Sequence, residues 1–178
     1  MNRLLIILLI LVTACGKIKN KADMVVDKTK DKIINELKEP IISNASLFDK
    51  FPELKNEKYK IDFKQGVKCE YLPAFYKYYF TYYGNKSKVL DFISQIKCTY
   101  TEIVPDTICK RIDFAEFQKG KSGLTDLEKQ KTDFFYKYQK LNSTDLELYD
   151  CIKTPEHHFI IFDTKTGMIY HMIENFNE

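Results

Sequence analysis

The 178-residue chain predicts an α+β fold: a mostly antiparallel sheet with helices packed on one face, preceded by an N-terminal spacer helix. Three observations carry that expectation. Segments of helical and of strand periodicity follow one another as helix, strands, helix, strands, helix, strands, without the regular βα alternation of a parallel sheet. The stretch HHFIIFDTKTGMIYHMIE reads as a hairpin, two apolar runs around a short polar turn. The chain also carries 13 Phe and 12 Tyr, which supply a packed core without tryptophan and set it apart from disordered sequences.

At the start, the apolar run from Leu4 to Val12 is about half of the roughly 20 residues that a bilayer-spanning helix needs. With Arg3 ahead of it, the run fits the apolar region of a secretory signal. The residues that close it, Val12-Thr13-Ala14-Cys15, resemble the lipobox of bacterial lipoproteins. That resemblance covers only the first sixteen or so residues. It implies that 1–14 are removed as a signal peptide and that Cys15 takes a diacylglycerol on its sulfur. Cys15 then becomes the mature N-terminus, usually acylated on its amino group as well. Two or more acyl chains hold a protein on a membrane, where one does so only marginally. Gly16 stands where an aspartate would resemble an inner-membrane retention signal, and Lys17, Lys19 and Lys21 put positive charge beside the headgroups, on the order of 1 kcal/mol each. The expected location is the cell envelope, lipid-anchored in the outer membrane and facing the periplasm.

Residues 15–44 are then a lipidated N-terminus and helical stalk, and 45–178 a single globular domain. In the stalk, Asp23 to Lys38 reads as a helix that Pro40 ends, with Ala22, Val26, Thr29, Ile33 and Leu37 on one narrow stripe. A polar connector spans 39–51. Lys58 to Tyr71 alternates in two runs around Gln65-Gly66 and predicts a hairpin. The aromatic stretch YLPAFYKYYFTYYGN fits either period, but its tyrosine, phenylalanine and threonine favour a strand. Lys86 to Lys97 reads as a helix with Val89, Leu90, Ile93 and Ile96 inward and Asn85 or Ser87 as cap. TYTEIV and TICKRID bracket Pro105-Asp106 as two strands and a turn. Thr125 to Glu128 forms a capping box that opens a helix to about Leu141, with Leu127, Phe134, Phe135, Tyr138 and Leu141 inward. Gly167 closes the turn of the last hairpin, where it can take a positive φ.

The formal charge is +3, reduced by one when Arg3 leaves, and Arg111 is then the one arginine. A module that grips phosphates and base edges normally relies on arginine forks, so no nucleic-acid partner is expected. Apart from Cys15, the cysteines are Cys69, Cys98, Cys109 and Cys151, an even number that reads as two disulfides in an exported chain. Three connectivities exist. Cys98 with Cys109 closes a compact loop, which leaves Cys69 with Cys151.

His157, His158 and His171 all lie on the last hairpin. With a four-residue turn, Ile160 stands opposite His171, and His158 and His171 become diagonal neighbours on one face; a register shifted by one puts His157 in place of His158. Glu156 or Glu174 would complete a zinc or copper site of three protein ligands. Tyr76, Tyr78 and Tyr82 form the candidate binding surface, since a strand with two aromatic faces has one more than a single core needs. Tyrosine offers area with a hydroxyl at its tip, suited to sugar rings or peptide. Gly120-Lys121-Ser122 echoes a P-loop without its first glycine or leading strand. Ser94-x-x-Lys97 and Lys165-Thr166-Gly167 echo penicillin-recognising enzymes, but no SDN motif joins them. These features favour a non-enzymatic binding or accessory module that needs no cofactor and docks on an envelope protein or cell-wall polymer. The alternative is a metal-binding envelope protein that uses the histidine cluster.

Overall fold

The computed structural model describes residues 40–72, 75–96, 109–114, 117, 124–153 and 155–175. Its strands are β1 (Ile41–Asn44), β2 (Asp62–Leu72), β3 (Phe75–Tyr83), β4 (Lys110–Ile112), β5 (Leu146–Lys153), β6 (Glu156–Asp163) and β7 (Met168–Asn175). All pair antiparallel in one sheet, in the order β1-β2-β3-β7-β6-β5-β4. The helices are short: α1 (Leu47–Lys50), α2 (Lys86–Ser94) and α3 (Asp126–Lys131), with 3-10 turns at Pro52–Lys55, Glu57–Tyr59, Phe135–Lys140 and Ser143–Asp145. The fold is mixed α+β with the sheet dominant. The expected spacer helix and Cys15 lie outside the described residues, as do 97–108 and 118–123. No described helix is long and apolar enough to cross a membrane.

Helices cover both faces of the sheet, not one. On the first face, Phe80, Tyr82, Ile160 and Ile169 pack against Leu47 of α1, Leu54 and Tyr59 of the 3-10 turns, and Val89 and Ile93 of α2. On the second, Val67, Tyr79, Ile161 and Met172 pack against Phe117, Phe135 and Tyr138. The cause is in the central strands, where burial runs on without alternation, as in Ile169 to Ile173. A strand buried on both faces reads as a continuous apolar run and needs a layer on each side. The second aromatic face of β3 is thereby used up in a second core.

The segment 75–83 is a strand, and the hairpin expected at Gln65-Gly66 is absent. β2 runs straight through that pair and lies along β3, with a register shift between Phe63 and Gln65. Gly66 is there because its backbone is pressed on both sides: Ala45 N–H donates to its carbonyl at 2.9 Å, and a Cβ at 66 would collide with Ala45 O and come within 2.5 Å of the Phe80 ring. Backbone and a packed ring cannot both give way. Gly66→Ala is therefore expected to cost about 2–3 kcal/mol by overpacking, read as a lower denaturant midpoint at unchanged slope.

The connector at 39–51 contributes β1 and α1, the latter capped by Ser46 Oγ, which accepts from Phe48 N–H. Downstream, Thr125 caps α3 by accepting from Glu128 N–H at 3.1 Å. The predicted long helix stops at Lys131, however, and a 3-10 turn follows. Thr132 Oγ1 donates back to the Glu128 carbonyl at 2.6 Å, an alternative to helical pairing that bends the chain. The inward stripe becomes Glu128, Thr132, Phe135 and Tyr138, and Leu141 is left 38% exposed. The last hairpin forms as expected, with Ile160 opposite His171 and Gly167 at φ 78°.

Candidate functional site

Strand register lines up side chains in rows across the first face. One row is Ile41, Glu70, Tyr76, Asn175, Glu156 and Lys153, each directly opposite the next. The neighbouring row is Ser43, Lys68, Tyr78, Ile173, His158 and Cys151. Tyr76 and Tyr78 are half-buried there. The Lys50 ammonium stands 5.6 and 5.4 Å from the centres of these two rings, and Lys68 stands 5.5 and 5.9 Å from them. Each ammonium is also paired with a carboxylate, Lys50 with Glu156 and Lys68 with Glu70 at 2.6 Å. Tyr76 donates its hydroxyl to Glu156 at 2.6 Å. Burial and this bond push the Tyr76 hydroxyl pKa up. The patch is thus a set of cation–π contacts closed by ion pairs.

Tyr82, the third residue of the expected surface, is fully buried. Period two puts it on the same face, but α2 and the 3-10 turns close over that end of β3. Its hydroxyl lies 3.1 Å from His171 Nδ1, and His171 Nε2 lies 3.1 Å from His158 Nδ1. Both rings are fully buried, and Phe51 stacks on His171 with 4° between the planes. Burial first, then nearby cations, drive both imidazoles toward the neutral form: His158 falls to about 3 and His171 well below its ordinary value. His158 Nε2 faces the Glu156 carboxylate at 3.7 Å.

One order of protons fits this chain, in which His158 Nε2 makes no hydrogen bond. Tyr82 O–H donates to His171 Nδ1, His171 Nε2–H donates to His158 Nδ1, and His158 Nε2–H points at Glu156. We infer these tautomers because the reverse order aims a lone pair at a carboxylate. His157 sits on the opposite face, beside Asp150 at 3.5 Å and against the Phe159 ring. The three histidines therefore do not converge. Among the described residues, no three His, Cys, Asp or Glu are placed to hold a metal ion.

The second face carries a polar cluster that sequence reasoning missed. Glu128 is fully buried and accepts from the hydroxyls of Tyr71 and Tyr79, the latter at 2.5 Å. Lys77 lies 4.0 Å from it and 3.5 Å from Glu174. Burial first, with Glu128 contributing, pushes both tyrosine pKa values up, and burial raises Glu174 as well. Glu128 reads as the acid of a capping box. The signal for its other role was Lys77, a lone cation in an aromatic strand that needs a buried anion.

The disulfide joins Cys109 to Cys151, which corrects both expected pairs. Cys151 packs in the first-face core and Cys69 in the second, on strands separated by β3, β7 and β6, so they cannot bridge. Cys109 instead stands across from Cys151 on neighbouring strands, next to the Lys110–Asp150 pair. Cys69 is a buried free thiol pushed up to about 12, by burial first and then by the Glu128 charge. Cys98 lies outside the described residues. Of the two motif echoes, Lys165-Thr166-Gly167 forms the β6–β7 turn, and 120–122 are not described. Compared with protein-family models, curated protein sequences and solved structures, the chain matches none.

Proposed function

We propose that this chain is a lipid-anchored, non-enzymatic binding or accessory module of the cell envelope. In this reading, Cys15 holds it in the outer membrane, facing the periplasm, and the domain docks on an envelope protein or a cell-wall polymer. The observation that carries the binding role is the Tyr76–Tyr78 patch, half-buried and flanked by Lys50 and Lys68. Such a patch offers aromatic edges and paired charges to a polar partner without exposing a large apolar surface. Neither His158 nor His171 has a solvent-facing atom with which to meet a partner, so the reading rests on the tyrosine patch and not on the histidines.

A photo-crosslinking residue at Tyr78 of the full chain, in cells, tests the reading. The expected result is one prominent crosslinked envelope species, absent when the probe stands at exposed Lys137. In the same cells Cys15→Ser is expected to leave an uncleaved chain that takes up no labelled fatty acid, because the sulfur is the acylation site. Equal crosslinking at both positions would overturn the docking surface. A shortened, acylated Cys15→Ser protein would overturn the anchor.

A further inference from the structure

The two outer strands of the sheet differ in a way that bears on assembly. Unpaired strand edges are templates for other chains, and proteins normally guard them with charges, proline or bulges. β4 is guarded, since Lys110 and Arg111 are both exposed on it. β1 reads Ile-Ile-Ser-Asn, carries no charge or proline, and leaves Ile41 75% exposed. Among the described residues, nothing pairs with its outer side.

We infer that β1 is a pairing edge and that its partner is a second copy of this chain, joined antiparallel through β1 about a two-fold axis normal to the sheet. Self-pairing sets a strand against its own sequence, so like charges on it would repel. β1 has none, whereas Lys110 and Arg111 would meet their own kind. The charges behind β1 also fit. Lys68 lies opposite Ser43 and Glu70 opposite Ile41. In the register that sets Ile41 against the second copy's Ser43, the row from one Glu70 runs on to the other copy's Lys68. Because the axis is normal to the sheet, the first faces of both copies point the same way. Pairing then presents two Tyr76–Tyr78 patches on one face with four strands between them, but the inference itself needs neither the lipid anchor nor the docking role.

The test uses the full chain purified in detergent. Sedimentation over a range of concentrations is expected to show a reversible dimer. Ile41→Lys with Ser43→Lys places cations against cations whether 41 faces 43 or 43 faces itself, and is expected to weaken dimerisation on the order of tenfold or more. Across β2, Ser43→Lys faces Lys68 and Ile41→Lys faces Glu70, so the two changes offset and the variant is expected to keep an unfolding midpoint close to wild type as a monomer. Hydrogen exchange at β1 amides is expected to speed up on dilution. A wild-type chain that stays monomeric at all concentrations overturns the inference, as does a dimer that the double lysine variant leaves intact. A monomer with protected β1 amides also overturns it, in favour of a segment of the same chain covering that edge.

Discussion

Lowering the pH from 7 to 4.5 is expected to destabilise this domain strongly, and the buried histidine pair is the reason. In the unfolded chain each imidazole titrates near its ordinary value of about 6.5. In the folded chain His158 stays neutral down to about 3, and His171 is also held well below its ordinary value. Below about 6.5 the unfolded state therefore binds protons that the folded state refuses, and stability falls with pH. The contribution is fully present above 6.5 and is lost as pH drops toward the folded values. A histidine that stays neutral in the folded state, as His158 does, costs about 1.4 kcal/mol per pH unit in that window. His158 alone over two units amounts to roughly 3 kcal/mol, and His171 adds to it in the same direction, against a whole stability of about 5–15 kcal/mol for many domains. Glu174 works the other way, since burial raises its carboxyl and its folded form gains a proton sooner. It is one group against two. Denaturant midpoints at pH 7, 5.5 and 4.5 check the slope, and a midpoint constant across this range would refute it. His158→Leu with His171→Phe removes both titrating rings, and if that variant folds its midpoint should be nearly flat from pH 7 to 5.

What was legible in the sequence was whatever depends on one strand pair. The β6–β7 hairpin, its Gly167 turn and the approach of His158 to His171 follow from alternation and a four-residue turn, with no other element needed. Asn85 as the cap of α2 is equally local, its side chain accepting from Lys88 N–H at 3.1 Å. Features set by the rest of the sheet were not legible. β5 carries Glu147, Asp150 and Lys153 among its apolar residues, so it does not announce a strand, and its place between β4 and β6 comes from pairing on both sides. The fate of Tyr82 was decided by α2, and that of His157 by its odd position in β6. The pairing of Cys151 required the knowledge that Cys69 faces the other core. Gly66 looked like a turn because close approach and turn geometry both call for glycine; only the neighbours Ala45 and Phe80 distinguish them.

Glu128→Ala is expected to damage the second face as much as deleting a fully buried aromatic ring there. The carboxylate is fully buried, and it accepts from Tyr71 and Tyr79 while Lys77 stands 4.0 Å away. Removing it takes the carboxylate acceptor from two hydroxyls and one of two anions from Lys77, which retains Glu174 at 3.5 Å. Breaking a buried charged network from one side costs about 3–5 kcal/mol, enough to lower Tm by roughly 10 °C in a domain of this size. The helix cap does not explain the loss, because Thr125 bonds the backbone N–H of 128, which alanine keeps. Glu128→Gln separates charge from shape. It preserves an acceptor for one tyrosine and is expected to cost about 1–2 kcal/mol. The decisive variant joins Glu128→Ala to Tyr71→Phe and Tyr79→Phe. With the carboxylate and the two hydroxyls that donate to it deleted together, part of the lost stability should return, less what Tyr136 loses with its Tyr79 partner. If the triple variant is no more stable than Glu128→Ala alone, the damage comes from the cavity at position 128, and the hydrogen-bonded cluster is not what holds α3 to the sheet.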